Sequence, residues 1–173
     1  MKNANYWIEK LSLQVHPEGG FFKENYRSNE FISKDALPDR FSGDRTFSTS
    51  IYFLLDKDQY SAFHRIKQDE IWHFYDGCSL TIHIIDPVGN YSTVILGKDI
   101  DNDENLQIIV PAGCFFAAEI NNKNSFSLSG CTVAPGFDFA DFEMPKSKVL
   151  LELFSQHEKI IKKLTKLRNC ITL

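Results

Sequence analysis

Several features are scarce in this 173-residue chain. No run approaches the ~20 consecutive apolar residues of a membrane-spanning helix. The opening stretch MKNANYWIEKLSL has no contiguous apolar core and no small-residue cleavage site, so no secretory signal is expected. The four cysteines, Cys78, Cys114, Cys131 and Cys170, lie far apart and include no C-x-x-C pair. They read as reduced thiols of a cytoplasmic protein, although spacing alone leaves a disulfide open. Basic residues are also short, since 19 Lys and Arg face 23 Asp and Glu for a net charge of −4. A nucleic-acid or anionic-membrane binder needs a basic field to meet phosphates, so neither partner is expected. Gly19-Gly20 is no phosphate loop, because further glycines and a following helix are lacking. Repeats, low-complexity tracts and linkers are absent too.

What is abundant is aromatic. The chain has 15 Phe, 6 Tyr and 2 Trp, 13% of its residues, with Phe at roughly twice ordinary usage. With 43% apolar and 24% charged residues, the chain is not disordered. Its length suits one domain over residues 1–173, which buries roughly 70% of the surface of the unfolded chain.

Local pattern predicts a short helix over residues 5–11 and a turn at His16-Pro-Glu-Gly-Gly20. A strand follows over 21–28, with Phe22, Glu24 and Tyr26 opposite to Lys23 and Arg27. Residues 31–44 read as a surface loop, a flap over a site. Short β-branched and aromatic runs then crowd together at 48–55, 61–66, 71–75, 80–85, 91–96, 106–110, 114–118 and 126–133. Turn residues such as Asp76-Gly77 separate them, which points to an antiparallel sandwich or barrel. At the end, Pro145 opens a helix through Phe154, and Ser155 with Glu158 has the spacing of a capping box for a second helix to about Lys166. These helices are expected to cover the barrel or an oligomer contact.

The densest chemistry lies between Ser61 and Gly77, where His64, Asp69, Glu70, Trp72 and His73 fall on one hairpin. A second segment is Pro111-Ala-Gly113-Cys-Phe-Phe116. Together they resemble the two motifs of the cupin superfamily. His64, Glu70 and Gly77 match the first motif, with Ile66 where its second His belongs. Pro111 and Gly113 match the second, with Phe116 where its His belongs. His16-Pro-Glu-Gly-Gly20, Ser50-Ile-Tyr-Phe-Leu-Leu55, Asp69-Glu-Ile-Trp-His73 and the segment from Gly130 to Phe139 look like signatures of a poorly characterised single-domain cupin subfamily. The resemblance implies a mainly β fold, a cupin-type jelly-roll barrel with a short N-terminal helix and two C-terminal helices. It also implies a small-molecule pocket and a homodimer.

A cupin metal usually takes three His and one Glu, of which this chain keeps His64 and Glu70. Catalytic metals need about three protein ligands, so no metal or other cofactor is expected. His73 is excluded by strand parity if Glu70 faces inward, because Trp72 then does too. The constellation resembles metal-independent cupins that epimerise nucleotide-linked sugars, where a His and a Tyr exchange protons across the substrate. On that reading His64 is the general base, Glu70 orients its imidazole and Tyr52 is the opposing acid. Arg27 would hold an anionic group, and Glu18, Gln107, Trp72 and Phe116 are further candidate ligand contacts. An isomerase or epimerase acting on a polar or sugar-like ligand is the first expectation. A non-catalytic small-molecule-binding cupin and a metal-dependent cupin oxygenase are the alternatives.

Overall fold

The computed structural model describes residues 2–165. Helix α1 (Ala4–Leu11) is capped by the Asn3 side chain, which accepts from the Tyr6 N–H. Twelve strands follow: β1 (Gln14–Val15), β2 (Phe21–Arg27), β3 (Phe31–Ile32), β4 (Arg45–Thr46), β5 (Thr49–Asp56) and β6 (Tyr60–His64), then β7 (Asp69–Gly77), β8 (Leu80–Ile85), β9 (Tyr91–Leu96), β10 (Gln107–Val110), β11 (Phe115–Ile120) and β12 (Phe126–Ala134). Helices α2 (Ser147–Leu153) and α3 (Glu158–Lys163) close the described chain. The expected flap carries the small β3–β4 hairpin and a 3-10 turn. The expected capping box is not made: Ser155–His157 is a 3-10 turn, and α3 starts without a side-chain cap. Cys170 and the last residues assigned to the second helix lie outside the described residues.

Apart from the β3–β4 hairpin, the strands form two antiparallel sheets, one in the order β1-β2-β5-β12-β7-β10 and one in the order β6-β11-β8-β9. Their inner faces meet over a core of Phe53, Trp72, Leu80, Ile82, Phe116 and Ile120, among others. The Trp72 ring meets Phe53 and Phe116 edge-on, with centroids 5.5 and 6.4 Å apart, an arrangement that suits the ring quadrupoles. The six-stranded sheet is also apolar outside, because α1 packs Trp7, Ile8 and Leu11 there against Leu54, Tyr52 and Leu128. On the four-stranded sheet, Leu150, Phe154, Ile161 and Leu164 cover Phe63, Ile85, Phe115 and Ala117. The C-terminal helices therefore lie on the barrel.

Three strands carry an extra residue: β7 at Tyr75, opposite the Leu128–Ser129 step of β12, and β2 and β6 as follows. In β2 the pairing with β5 runs Glu24–Ile51 and then Tyr26–Ser50, so Asn25 is bulged out. In β6 the pairing with β11 runs His64–Phe116 and then Ser61–Ala118, so three residues of β6 span two of β11. A bulge puts residues i and i+3 on one face, where regular alternation would separate them. Arg27 thus shares the inner face with Glu24, contrary to the alternation expected for this strand.

Leu150 is fully buried at the centre of the helix–sheet contact. Leu150→Ala is expected to lower stability by about 2–5 kcal/mol through lost burial and the cavity left behind, read as a shift in the midpoint of urea unfolding.

Candidate functional site

A cavity of ≈ 310 Å³ opens at one end of the barrel. The six-stranded sheet lines it with Phe22, Glu24 and Arg27 of β2, Thr49 and Ile51 of β5, Glu70 of β7, and Cys131 and Val133 of β12. His64 and Ile66 form the facing wall, the 16–20 turn adds His16 and Glu18, and the rim is Phe137, Asp138, Phe139 and Phe142. The rim loop is tied down from below. Asp141 takes two hydrogen bonds of 2.6 Å from the buried Arg45 and one of 2.8 Å from Gln68. The Phe137 N–H donates to Thr49 Oγ1 at 2.9 Å. Three rim rings meet edge-on, with centroids 5.1 to 6.3 Å apart.

At the centre is a buried dyad. His64 Nδ1 lies 2.8 Å from the Ala62 carbonyl oxygen. A carbonyl only accepts, so Nδ1 carries a proton. His64 Nε2 lies 3.0 Å from Glu18 Oε2, and one further proton bridges them. Glu18 Oε1 accepts from the Ser61 hydroxyl at 2.9 Å. Ser61 and His64 reach the same carboxyl because of the β6 bulge.

The 16–20 turn delivers that carboxyl. Gly19 has a φ of 124°, and a Cβ there would sit 2.1 Å from the Tyr60 carbonyl oxygen. Only glycine allows this approach. The turn then docks on β6 through a 2.9 Å bond from the Ala62 N–H to the Glu18 carbonyl. His16 Nδ1 accepts from the Glu18 N–H at 3.3 Å, and its ring packs edge-on against Phe22.

Burial pushes the His64 imidazole down to about 4, against the pull of the Ala62 carbonyl. A single proton shared between Nε2 and Oε2 leaves the pair with no net charge. Glu70 moves the other way. Burial pushes its carboxyl up to about 8, and negative charge on Glu18 adds to this, while the Cys131 thiol and the Trp72 indole N–H pull it back. Glu70 is thus a neutral acid at pH 7. Cys131 is held well above the ordinary thiol range by burial and by Glu70, so it is not an activated nucleophile.

A family profile described as cupin superfamily, DUF985, matches residues 5–145. The chain belongs to this cupin family. It is similar to the uncharacterised protein YML079W of Saccharomyces cerevisiae, with 32% identity over 150 residues, 82% of this chain and 74% of that protein. Among solved structures, protein SO0799 of Shewanella oneidensis is 41% identical with a TM-score of 0.87, over 96% of this chain and 99% of that one. A hypothetical protein from Leishmania major is 33% identical with a TM-score of 0.86, over 96% and 100%. An oxalate decarboxylase from Bacillus subtilis, at 16% identity and a TM-score of 0.53, covers 87% of this chain and 36% of its own, and shares the fold alone.

The metal that many cupins hold does not fit these residues. Phe116 stands directly across from His64 in the β6–β11 pairing, with ring centroids 4.1 Å apart. Ile66, buried in the wall, likewise offers no lone pair. Both His64 nitrogens are already engaged. Among the described residues no three His, Cys, Asp or Glu are grouped to hold an ion.

Several sequence-based expectations need correction. Tyr52 points to the outer face of its sheet, packed with α1 and 6.1 Å from the Tyr75 ring, so it does not face His64 across the cavity. Gln107 is exposed on edge strand β10 and bonds His73, which faces outward as parity required. Trp72 and Phe116 are core residues behind the cavity wall. Arg27 does reach the cavity, but its guanidinium is bound to Glu24. The partner of His64 is Glu18, where Glu70 was expected. Residue-by-residue reading missed His16, Glu24 and the rim aromatics as cavity residues. The His16–Gly20 and Gly130–Phe139 signatures were the available signals for His16 and for two of the rim rings.

The two shifted groups act oppositely on stability. Folded Glu70 keeps its proton between its ordinary 4.5 and about 8, so its contribution falls as pH rises through that range. Folded His64 sheds its proton between 6.5 and about 4, so its contribution rises with pH there and is flat above 6.5. Glu70→Gln is therefore expected to abolish a decline of about 2 kcal/mol between pH 6.5 and 8. Urea unfolding across that window checks this, and identical slopes in the two proteins would refute it.

Proposed function

We propose that this cupin is a small-molecule enzyme of the isomerase type, in which the Glu18–His64 dyad serves as the base and Glu70 as the acid. The observation that carries this reading is the dyad itself, a carboxyl and an imidazole sharing one proton at 3.0 Å inside an apolar cavity. Neighbouring groups whose pKa values are driven apart are the usual mark of divided acid–base labour. Here the proton-sharing Glu18–His64 pair stands ready to take a proton, while the Glu70 carboxyl, held towards its protonated form, stands ready to give one.

The chemistry that suits this is proton abstraction beside a carbonyl. The Glu18 carboxyl takes a proton from carbon while the shared proton passes to His64 Nε2, and the electron pair moves to the carbonyl oxygen. Glu70 donates its proton to that oxygen, giving an enol. Return of a proton to a different atom, or to the other face, completes the isomerisation. No redox partner is needed. Tyr52 has no part in this scheme, because it lies on the far side of the sheet.

The second reading, a binding module without turnover, is favoured by one observation: both nitrogens of His64 are already bonded before any ligand enters. One experiment separates the two. The protein is incubated in deuterium oxide with a panel of free aldoses, ketoses and their derivatives, and deuterium entry into carbon positions is read by mass spectrometry. Wash-in is expected for at least one panel member, with a loss of about 10²-fold or more in His64→Gln and Glu18→Gln. A cooperative melting transition in each variant checks that it is folded. A ligand that binds saturably without any exchange would overturn the enzyme reading in favour of the binding module.

A further inference from the structure

Taking the cavity as a small-molecule site, we propose that Glu24 is a specificity-determining residue, which occupies the carboxylate-binding face of Arg27 and so restricts the mouth to ligands carrying no phosphate or carboxylate there. This rests on the cavity being a ligand site, but not on its carrying out any reaction.

Arg27 is the sole Arg or Lys among the residues lining the cavity. A guanidinium recognises an anion through its planar fork of parallel N–H bonds. Three of its five N–H groups, including the whole Nε–Nη2 edge, are taken by the chain itself. Nε donates to Glu24 Oε1 at 2.9 Å and Nη2 to Glu24 Oε2 at 2.6 Å. Nη1 donates to the Phe137 carbonyl at 3.1 Å, which turns the guanidinium towards the rim loop. An arriving phosphate finds the Nε–Nη2 edge spent on a carboxylate and the positive charge already neutralised.

The remaining charges do not offset this. Deep in the cavity the Glu18–His64 dyad has no net charge and Glu70 holds its proton. At the mouth Glu24 and Arg27 cancel, and Asp138 leaves one more carboxylate on the rim. An anion entering the site therefore meets no unspent cation. An uncharged ligand with hydroxyl groups meets the opposite situation. Glu18, His64, Glu70 and Thr49 offer donors and acceptors, and Phe137, Phe139 and Phe142 offer apolar faces for the C–H side of a sugar-like ring. Nucleotide-linked sugars, whose diphosphate needs an open cationic subsite, fit this mouth poorly.

The pairing is also separable from the fold. The two side chains are 42% and 38% exposed, and partly exposed ion pairs contribute little to stability. Glu24→Gln should therefore fold normally while releasing the Arg27 fork. The test is calorimetric titration with inorganic pyrophosphate of the wild type, Glu24→Gln, Arg27→Gln and the double variant. Wild type should show no saturable binding. Glu24→Gln should gain affinity by about tenfold or more, the scale of one charge-assisted pair, and the double variant should lose that gain. The same gain should appear when Glu24→Gln is combined with His64→Gln, which separates this proposal from the acid–base reading. Wild-type binding of pyrophosphate that Arg27→Gln removes would overturn it. So would a Glu24→Gln variant that folds and gains nothing.

Discussion

An imidazole and two carboxyls buried at one end of an apolar barrel impose the constraint on which this site depends. Each must find a hydrogen-bonding partner or discard its charge. His64 and Glu18 meet the requirement together by sharing a proton. Glu70, left without a cationic partner, meets it by staying protonated. Everything around them serves those two outcomes. The Ala62 carbonyl selects the tautomer, Ser61 holds the second carboxyl oxygen, and the glycine turn brings Glu18 close enough to bond.

The same constraint explains what Ile66 and Phe116 do beyond failing to bind a metal. In a cupin with three histidines, a divalent ion would supply the positive charge that keeps a buried glutamate ionised. Here two apolar side chains occupy those places, and Phe116 lies against the imidazole itself. They lower the local polarity, which drives His64 towards its neutral base form and Glu70 towards its neutral acid form. Apolar side chains thus stand at two of the places where the cupin motifs have histidine, and the 16–20 turn gives His64 a carboxyl partner instead.

Much of this was legible in the sequence where alternation has one apolar and one polar face. On β7 parity correctly put Glu70 and Trp72 inside and His73 outside. On β5 it had no such contrast to work with, because α1 makes the outer face apolar as well. Ile51, Tyr52, Phe53 and Leu54 are all compatible with either orientation, and Tyr52 was assigned to the wrong side. The motif spacing located His64 and Glu70, but the partnership of Glu18 with His64 depends on a turn and a strand 43 residues apart, from Glu18 to Ser61. Local pattern carries no record of such a contact.

Two of the three β-bulges, those in β2 and β6, link these observations. On a regular strand, residues three apart lie on opposite faces, so Ser61 and His64 could not bond one carboxyl, and Arg27 could not meet Glu24 inside the cavity. The extra residue in β6 creates the first pairing and Asn25 in β2 creates the second. One bulge therefore assembles the buried proton-sharing group, and the other seals the guanidinium at the mouth. Both bulges lie on strands that line the cavity, and each aligns a pair that regular alternation forbids. Neither leaves a compositional mark, since the residues concerned, Asn25 and the Ala62-Phe63 step, fit a regular strand equally well. The fold is thus written in the periodic part of these strands, and the cavity's two charged pairings arise where the period of β2 and β6 breaks.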